Sequence, residues 1–233
     1  MEYEIIGDDL PIVEIRLQPG EKIIAEAGPM AYKSAHIHME AHATGGLWKS
    51  LRRTLAHESL FLTTFTAIDE PGIIGFASES VGKIRAIKLE AGQEMILQKD
   101  AFIATEATVD LDWKWARIKT GLFGGEGFIL EKVTGPGTVF IGAFGDFRDF
   151  DLAKGEKLDI DTGCLVAFDS SVTYDAHLVD GVKTILFGGE GLFLASVEGP
   201  GHVIVQSMNR YEVARYLFQA LGYPIRFQGS PRR

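Results

Sequence analysis

A single cysteine, Cys164, stands among the 233 residues, so no disulfide can form within the chain. This fits a reducing compartment, or a fold that needs no covalent staple. Prolines number only 8, which argues against Pro-rich linkers. Positive charge is also short: 23 Lys and Arg face 32 Asp and Glu, a net charge of −9. An acidic surface repels phosphate backbones, so nucleic acid is not expected as a partner. No apolar run approaches the length needed to cross a bilayer as a helix. The opening MEYEIIGDDLPIVEI lacks the basic stretch and apolar core of a signal peptide. These absences lead to the expectation of a soluble, cytoplasmic protein.

What is present fits a folded domain. Hydrophobic residues make up 46% and charged residues 24%, a balance of globular rather than disordered chains. The length suffices for a sizeable core. The 27 glycines predict many turns between short strands.

Three segments align without a gap: LQPGEKIIAEAGPMAYKSAHIHME from Leu17, LEAGQEMILQKDAFIATEATVDLD from Leu89 and LAKGEKLDIDTGCLVAFDSSVTYD from Leu152. Each opens Leu-x-x-Gly, and Gly20, Gly92 and Gly155 suit a turn that needs positive φ. Met30, Phe102 and Leu165 share one position; Ile37, Val109 and Val172 another; Met39, Leu111 and Tyr174 a third. Each unit begins one strand earlier, at PIVEIRL, GKIRAIKL or DFRDFDL, and ends with two strands flanking a Pro-Gly turn. Alternating apolar and polar residues, with β-branched and aromatic types, are strand chemistry. The fold class is therefore all-β: three tandem small antiparallel sandwich units, at 1–80, 81–144 and 145–208. A basic insertion near 45–57 interrupts the first unit. The tail, 209–233, reads as a helix capped by Asn209 with Glu212 three residues on. Its stripe of Val213, Leu217 and Leu221, with Ala214 and Phe218, is expected to pack on the sandwiches, and Gly222 and Pro224 end it.

LFGGEG occurs twice, and a glycine cluster invites a phosphate-loop reading. That loop needs GxxxxGK[ST] leading into a helix. Here a strand follows, no Lys is in place, and Glu126 and Glu190 carry the wrong sign. The repeat explains both copies as a bulge or tight turn.

Taken together, GGLWKSLRRTLAHESLFLTTFTA (Gly45–Ala67), GLFGGEGFILEKVTGPGTVFIGAFG and LFGGEGLFLASVEGPGHVIVQS resemble the altered-inheritance-of-mitochondria protein 24 family, over almost the whole chain up to Ser207. The resemblance implies a threefold duplication of a tryptophan-RNA-binding-attenuator-like (TRAP-like) unit, a short double-stranded β-helix. It also implies a compact homotrimer, a ring of nine units, and it links mitochondrial relatives to inner-membrane organisation. It brings no catalytic residues, and the RNA- and tryptophan-binding of the fold's namesake does not transfer with a fold.

Several side chains are chemical suspects. On one strand face of HIHMEAH, His36, His38, Glu40 and His42 form a plausible zinc or iron set. The same face holds Thr108, Asp110 and Asp112 in the second unit and Ser171, Thr173 and Asp175 in the third, so a solvated or interface face explains it too, with Ile37 and Met39 turned to the core. Glu126 and Glu190 sit in different copies, which weakens any acid–base pairing. Cys164 falls beside a core position and reads as a small buried thiol. WKWARIK (Trp113–Lys119) mixes aromatics and cations, but one short stretch in an acidic chain reads as a strand end or subunit contact. In LWKSLRRTL, Leu47, Leu51 and Leu55 share a helical face beside Trp48, with Lys49, Arg52 and Arg53 opposite: a membrane or partner surface, or a cap on a barrel end. The expected function is a non-catalytic scaffold or interaction protein that needs no cofactor. Its expected partners are two further copies of itself and a membrane surface or unidentified protein. The alternative is a metal- or small-molecule-binding protein using the His36–His42 strand or a groove between repeats.

Overall fold

A computed structural model of the chain describes residues 1–26, 28–43, 61–78, 80–118, 128–178 and 193–222. Both LFGGEG segments, with Glu126 and Glu190, lie outside the described residues, as do Trp48, Lys49, Arg52 and Arg53.

The first repeat supplies β1 (Glu2–Ile6), β2 (Ile12–Leu17), β3 (Lys22–Glu26), β4 (Met30–Lys33), β5 (Ile37–Ala43), β6 (Phe61–Ala67) and β7 (Gly72–Ala77). The second supplies β8 (Ile84–Leu89), β9 (Glu94–Gln98), β10 (Phe102–Glu106), β11 (Asp110–Ile118), β12 (Phe128–Thr134) and β13 (Gly137–Gly142). The third supplies β14 (Phe147–Leu152), β15 (Lys157–Asp161), β16 (Leu165–Asp169), β17 (Thr173–Leu178), β18 (Phe193–Glu198) and β19 (Gly201–Gln206), followed by the helix α1 (Arg210–Ala220). Among the described residues the fold is all-β with antiparallel pairing, as the strand chemistry predicts, and one short C-terminal helix.

Alternation decides which way each strand faces. In β2, Val13, Ile15 and Leu17 are fully buried while Glu14 and Arg16 point away. The Leu-x-x-Gly turns repeat atom for atom. Gly20, Gly92 and Gly155 have φ of 87°, 77° and 80°, the left-handed region that costs other residues most. The next side chain closes the turn each time: Gln18 N–H donates to Glu21 Oε2 at 2.8 Å, Glu90 N–H to Gln93 Oε1 at 3.0 Å and Ala153 N–H to Glu156 Oε2 at 2.9 Å.

The sheets do not follow the repeat boundaries. The orders are β1-β2-β7-β4, β5-β6-β3-β10-β13-β8, β11-β12-β9-β16-β19-β14 and β15-β18-β17. Each six-stranded sheet joins three strands of one repeat to three of the next. The junction is always the same: β3 pairs with β10 through Ala25↔Ala104, and β9 with β16 through Leu97↔Ala167. Among the described residues the sheets end at β1 and β4, β5 and β8, β11 and β14, and β15 and β17; of these, β4 and β15 lack the cross-repeat partner that their counterparts in the other repeats have.

Two compact units result. The first is formed by Met1–Glu94, Asp100–Leu111 and Val133–Ala143. Its core gathers Val13, Ile15, Phe65, Ile74, Phe76 and Phe140, with the Phe65 and Phe76 rings edge to face at 5.5 Å. The second comprises the described residues of Met95–Lys99, Asp112–Lys132 and Phe144–Arg233. It buries Ile96, Leu130, Leu165, Phe168, Val172 and Val197, and Tyr174 stacks on Phe168 at 5.6 Å. Phe102 and Leu165, expected in the core, are buried, as are the repeat-equivalent Ile37, Val109 and Val172. Met30, Leu111 and Tyr174 are half-buried, and the side chain of Ile129, also expected in the core, lies outside the described residues.

Two expectations are corrected. Met39 is not buried in the core: it is 43% exposed, although it stands opposite buried Phe65. The reason is that β5 is an edge strand, covered on one flank only. The α1 stripe is not covered either. Asn209 Oδ1 caps the helix by accepting from Glu212 N–H at 2.9 Å, and Gly222 (φ 72°) follows its end, but Leu217, Phe218 and Leu221 are exposed.

Candidate functional site

The histidine strand is β5, paired with β6 from Ile37↔Ala67 to Ala43↔Phe61. Period-two alternation puts residues 38, 40 and 42 on one face. His38 Nε2 lies 3.4 Å from Glu40 Oε1 on that exposed face. His36 precedes the strand and is held elsewhere: Nε2 lies 3.1 Å from the Pro71 carbonyl oxygen and Nδ1 3.2 Å from Glu70 Oε1. A carbonyl only accepts, so Nε2 carries the proton and donates to it. The side chain of His42 lies outside the described residues. Among the described residues no three His, Cys, Asp or Glu converge as metal ligands. The structure thus brings His38 and Glu40 together and ties His36 to the β6–β7 turn. The equivalent residues Asp110, Asp112, Thr173 and Asp175 are exposed, so this face is polar and solvated in each copy.

Cys164 is half-buried beside the α1 cap. Burial pushes its thiol up to about 11, helped by Asp161 and Glu212 and opposed by a hydrogen bond with Asn209. The thiol is therefore protonated near neutral pH and a poor nucleophile.

Sequence reasoning missed the most organised ionic cluster. His202, on β19, stands opposite Asp151 on β14. Its Nδ1 lies 2.7 Å from Asp151 Oδ1 and its Nε2 3.0 Å from Asp149 Oδ1. A proton on each nitrogen satisfies both carboxylates, so the arrangement favours imidazolium. Partial burial lowers the His202 pKa, but the two aspartates outweigh it and the net shift is upward. The backbone N–H of His202 also donates to Asp169 Oδ2 at 2.9 Å, as Thr138 N–H does to Glu106 Oε2 at 3.1 Å one repeat earlier. The aspartates of DFRDFDL carried a signal in their alternation, but their partner became visible only with the register.

An open groove of about 380 Å³ is lined by Met1, Gly20, Glu21, Lys22, Glu106, Ala107 and Thr108, all in the first unit. The N-terminal ammonium lies 3.5 Å from Glu21 Oε1 there. Charges of both signs among its lining residues give it no preference for one ligand class. No helix among the described residues is long and apolar enough to cross a membrane.

Comparison with known proteins supplies the family. Residues 3–208 match the model of the family described as Mitochondrial biogenesis AIM24. An uncharacterized protein of Streptococcus pyogenes serotype M6 is 30% identical over 220 residues, spanning 89% of this chain and 87% of its own. The crystal structure of a Streptococcus pyogenes protein solved by structural genomics superposes with a TM-score of 0.77 at 25% identity, covering 94% of this chain and 99% of the other. The match runs through all three repeats, and the chain therefore belongs to the mitochondrial biogenesis AIM24 family.

Proposed function

We propose that this protein is a non-catalytic scaffold that works as a closed homotrimer, presenting surfaces to a membrane or another protein. The observation that carries this reading is that β4 and β15 end their sheets among the described residues, although their counterparts in the other repeats, β10 and β16 for β4 and β3 and β9 for β15, are paired on both flanks. With the first repeat counted from β2, the second strand of a repeat pairs with the third strand of the next, twice over. The second strand of the last repeat is β15 and the third strand of the first is β4. In this reading they complement each other between copies, head to tail, and such contacts close into a ring or run on as a filament. Three copies is the number that the family resemblance implies.

The in-chain registers supply a concrete interface. Carried over by the repeat alignment, the same registers would set Tyr32 of one copy opposite Ile160 of the next, Lys33 opposite Asp159 and Ser34 opposite Leu158. A Lys directly across from an Asp favours the pairing. Lys33→Asp and Asp159→Lys should each weaken assembly, and the double variant should recover it. If the single variants assemble like the wild type, the β4–β15 pairing is wrong.

A membrane role rests on the basic insertion, which concentrates Lys49, Arg52 and Arg53 beside Trp48 on a chain of net charge −9. Replacing the three cations with Gln should abolish binding to anionic liposomes. Wild-type protein that ignores such liposomes at low salt would remove the membrane from the proposal. The acidic charge supports a partner other than nucleic acid, and the single cysteine supports a cytoplasmic site.

A further inference from the structure

We infer that the exposed apolar face of α1 is a docking surface for a second copy of this chain, seated on that copy's Leu10–Val81 surface beside the end of β7. The inference rests on the head-to-tail reading above and names a contact which that reading does not contain.

The face itself is plain. Leu217 is 53% exposed, Phe218 53% and Leu221 69%, all within one sector of the helix, and Met208 just before the helix is 41% exposed. Adjacent exposed apolar side chains on one short element mark an interaction surface more often than a solvated one. The helix is not loosely attached. Asn209 is buried at its start, packed on Gly163, and Gln206 Nε2 donates to the Gly163 carbonyl at 2.8 Å. Gly163 belongs to the 3-10 turn that follows β15 directly. The apolar face thus starts from the end of an open strand edge. Pairing of the β3–β10 kind joins only three residue pairs. That is small against the roughly 800 Å² per partner of a stable interface, so the edge needs a second contact.

The repeat indicates where that contact falls. The segment leaving β7 lies against the end of β13, where Gly142 leaves no room for a Cβ beside the Ser78 hydroxyl. The segment leaving β13 lies against the end of β19: Phe144 N–H donates to Gln206 Oε1 at 2.9 Å, and Met208 N–H to the Phe144 carbonyl at 3.2 Å. In both cases the chain leaving one repeat crosses the end of the next repeat's last strand. The segment leaving β19 is Ser207–Asn209 and then α1, and residues 210–233 hold no fourth copy of the repeat. The equivalent strand end is Ala77, offered by a second copy. Ala77 pairs with Ile12, and Lys83 Nζ donates to the Asp8 carbonyl at 2.6 Å, which ties the 8–10 turn to the 78–83 segment. Two exposed apolar side chains stand in these segments, Leu10 at 69% and Val81 at 55%. They match the aliphatic and aromatic side chains of α1.

The test uses the full chain and light scattering across a concentration series. Leu217→Glu with Leu221→Glu should raise the dissociation constant of the assembly by at least about tenfold, because central apolar contacts carry most interface energy. Leu10→Glu with Val81→Glu should do the same from the receiving side. All four side chains are exposed in the single chain, so circular dichroism and melting of the dissociated variants should stay as in the wild type. A photo-crosslinking residue in place of Leu217 should label residues 8–12 or 77–83 of an isotopically marked second copy. Wild-type assembly with both double variants at wild-type mass overturns the helix contact and leaves the edge pairing standing. A wild type of single-chain mass overturns both. Helix-dependent binding to phosphatidylcholine vesicles, with the variants' mass unchanged, assigns the face to lipid and overturns the inference.

Discussion

His202 sits with Asp151 on one ring nitrogen and Asp149 on the other, and Asp169 accepts its backbone N–H. The net upward shift of its pKa makes stability depend on pH in a definite direction. A histidine whose folded pKa is raised contributes fully below its unfolded value of about 6.5, and the contribution fades as pH climbs through the folded value. The difference in unfolding free energy between wild type and His202→Gln should therefore be larger at pH 6 than at pH 9. The ring and Asp151 are solvent-accessible, so the effect should stay below about 1 kcal/mol. A difference that does not change with pH would contradict the clamp. Packed positions should behave differently. Phe102→Ala and Leu165→Ala each empty a fully enclosed site and should cost about 2–5 kcal/mol in denaturant unfolding. His38→Ala, on an exposed strand face, should cost far less. If it instead causes a large loss that a chelator reproduces on the wild type, the His36–His42 strand holds a metal after all.

Strands and turns were legible in the sequence because local chemistry decides them. Leu-x-x-Gly needs a positive φ at its glycine, and Gly20, Gly92 and Gly155 deliver it. Alternation fixes which side chains of β2 go inward before any partner is known. Partner choice is another matter. Period two says which face is buried but not which strand lies alongside, so nothing in the repeat alignment revealed that β3 pairs with β10 of the next repeat as well as with β6 of its own. The His202 cluster escaped notice for the same reason, since Asp149 and His202 are 53 residues apart. In α1 the Asn209 cap was readable because it is local, while the fate of its apolar stripe depends on what lies across from it. Met39 marks the same limit, a residue on the core side of a strand that happens to be the last in its sheet.

At the scale of the whole molecule, the repeats share strands along the chain, and that sharing has a beginning and an end. Among the described residues, β4 and β15 lack the cross-repeat partner of their counterparts, and α1 leaves its apolar face open beside β15. A chain that met no copy of itself would expose both edges and that face to solvent, an arrangement that natural sheet proteins avoid. The most direct measurement is the particle mass of untagged protein by light scattering on a sizing column at micromolar concentration. Head-to-tail closure predicts one species near three times 25.5 kDa. A monodisperse species of single-chain mass would contradict it.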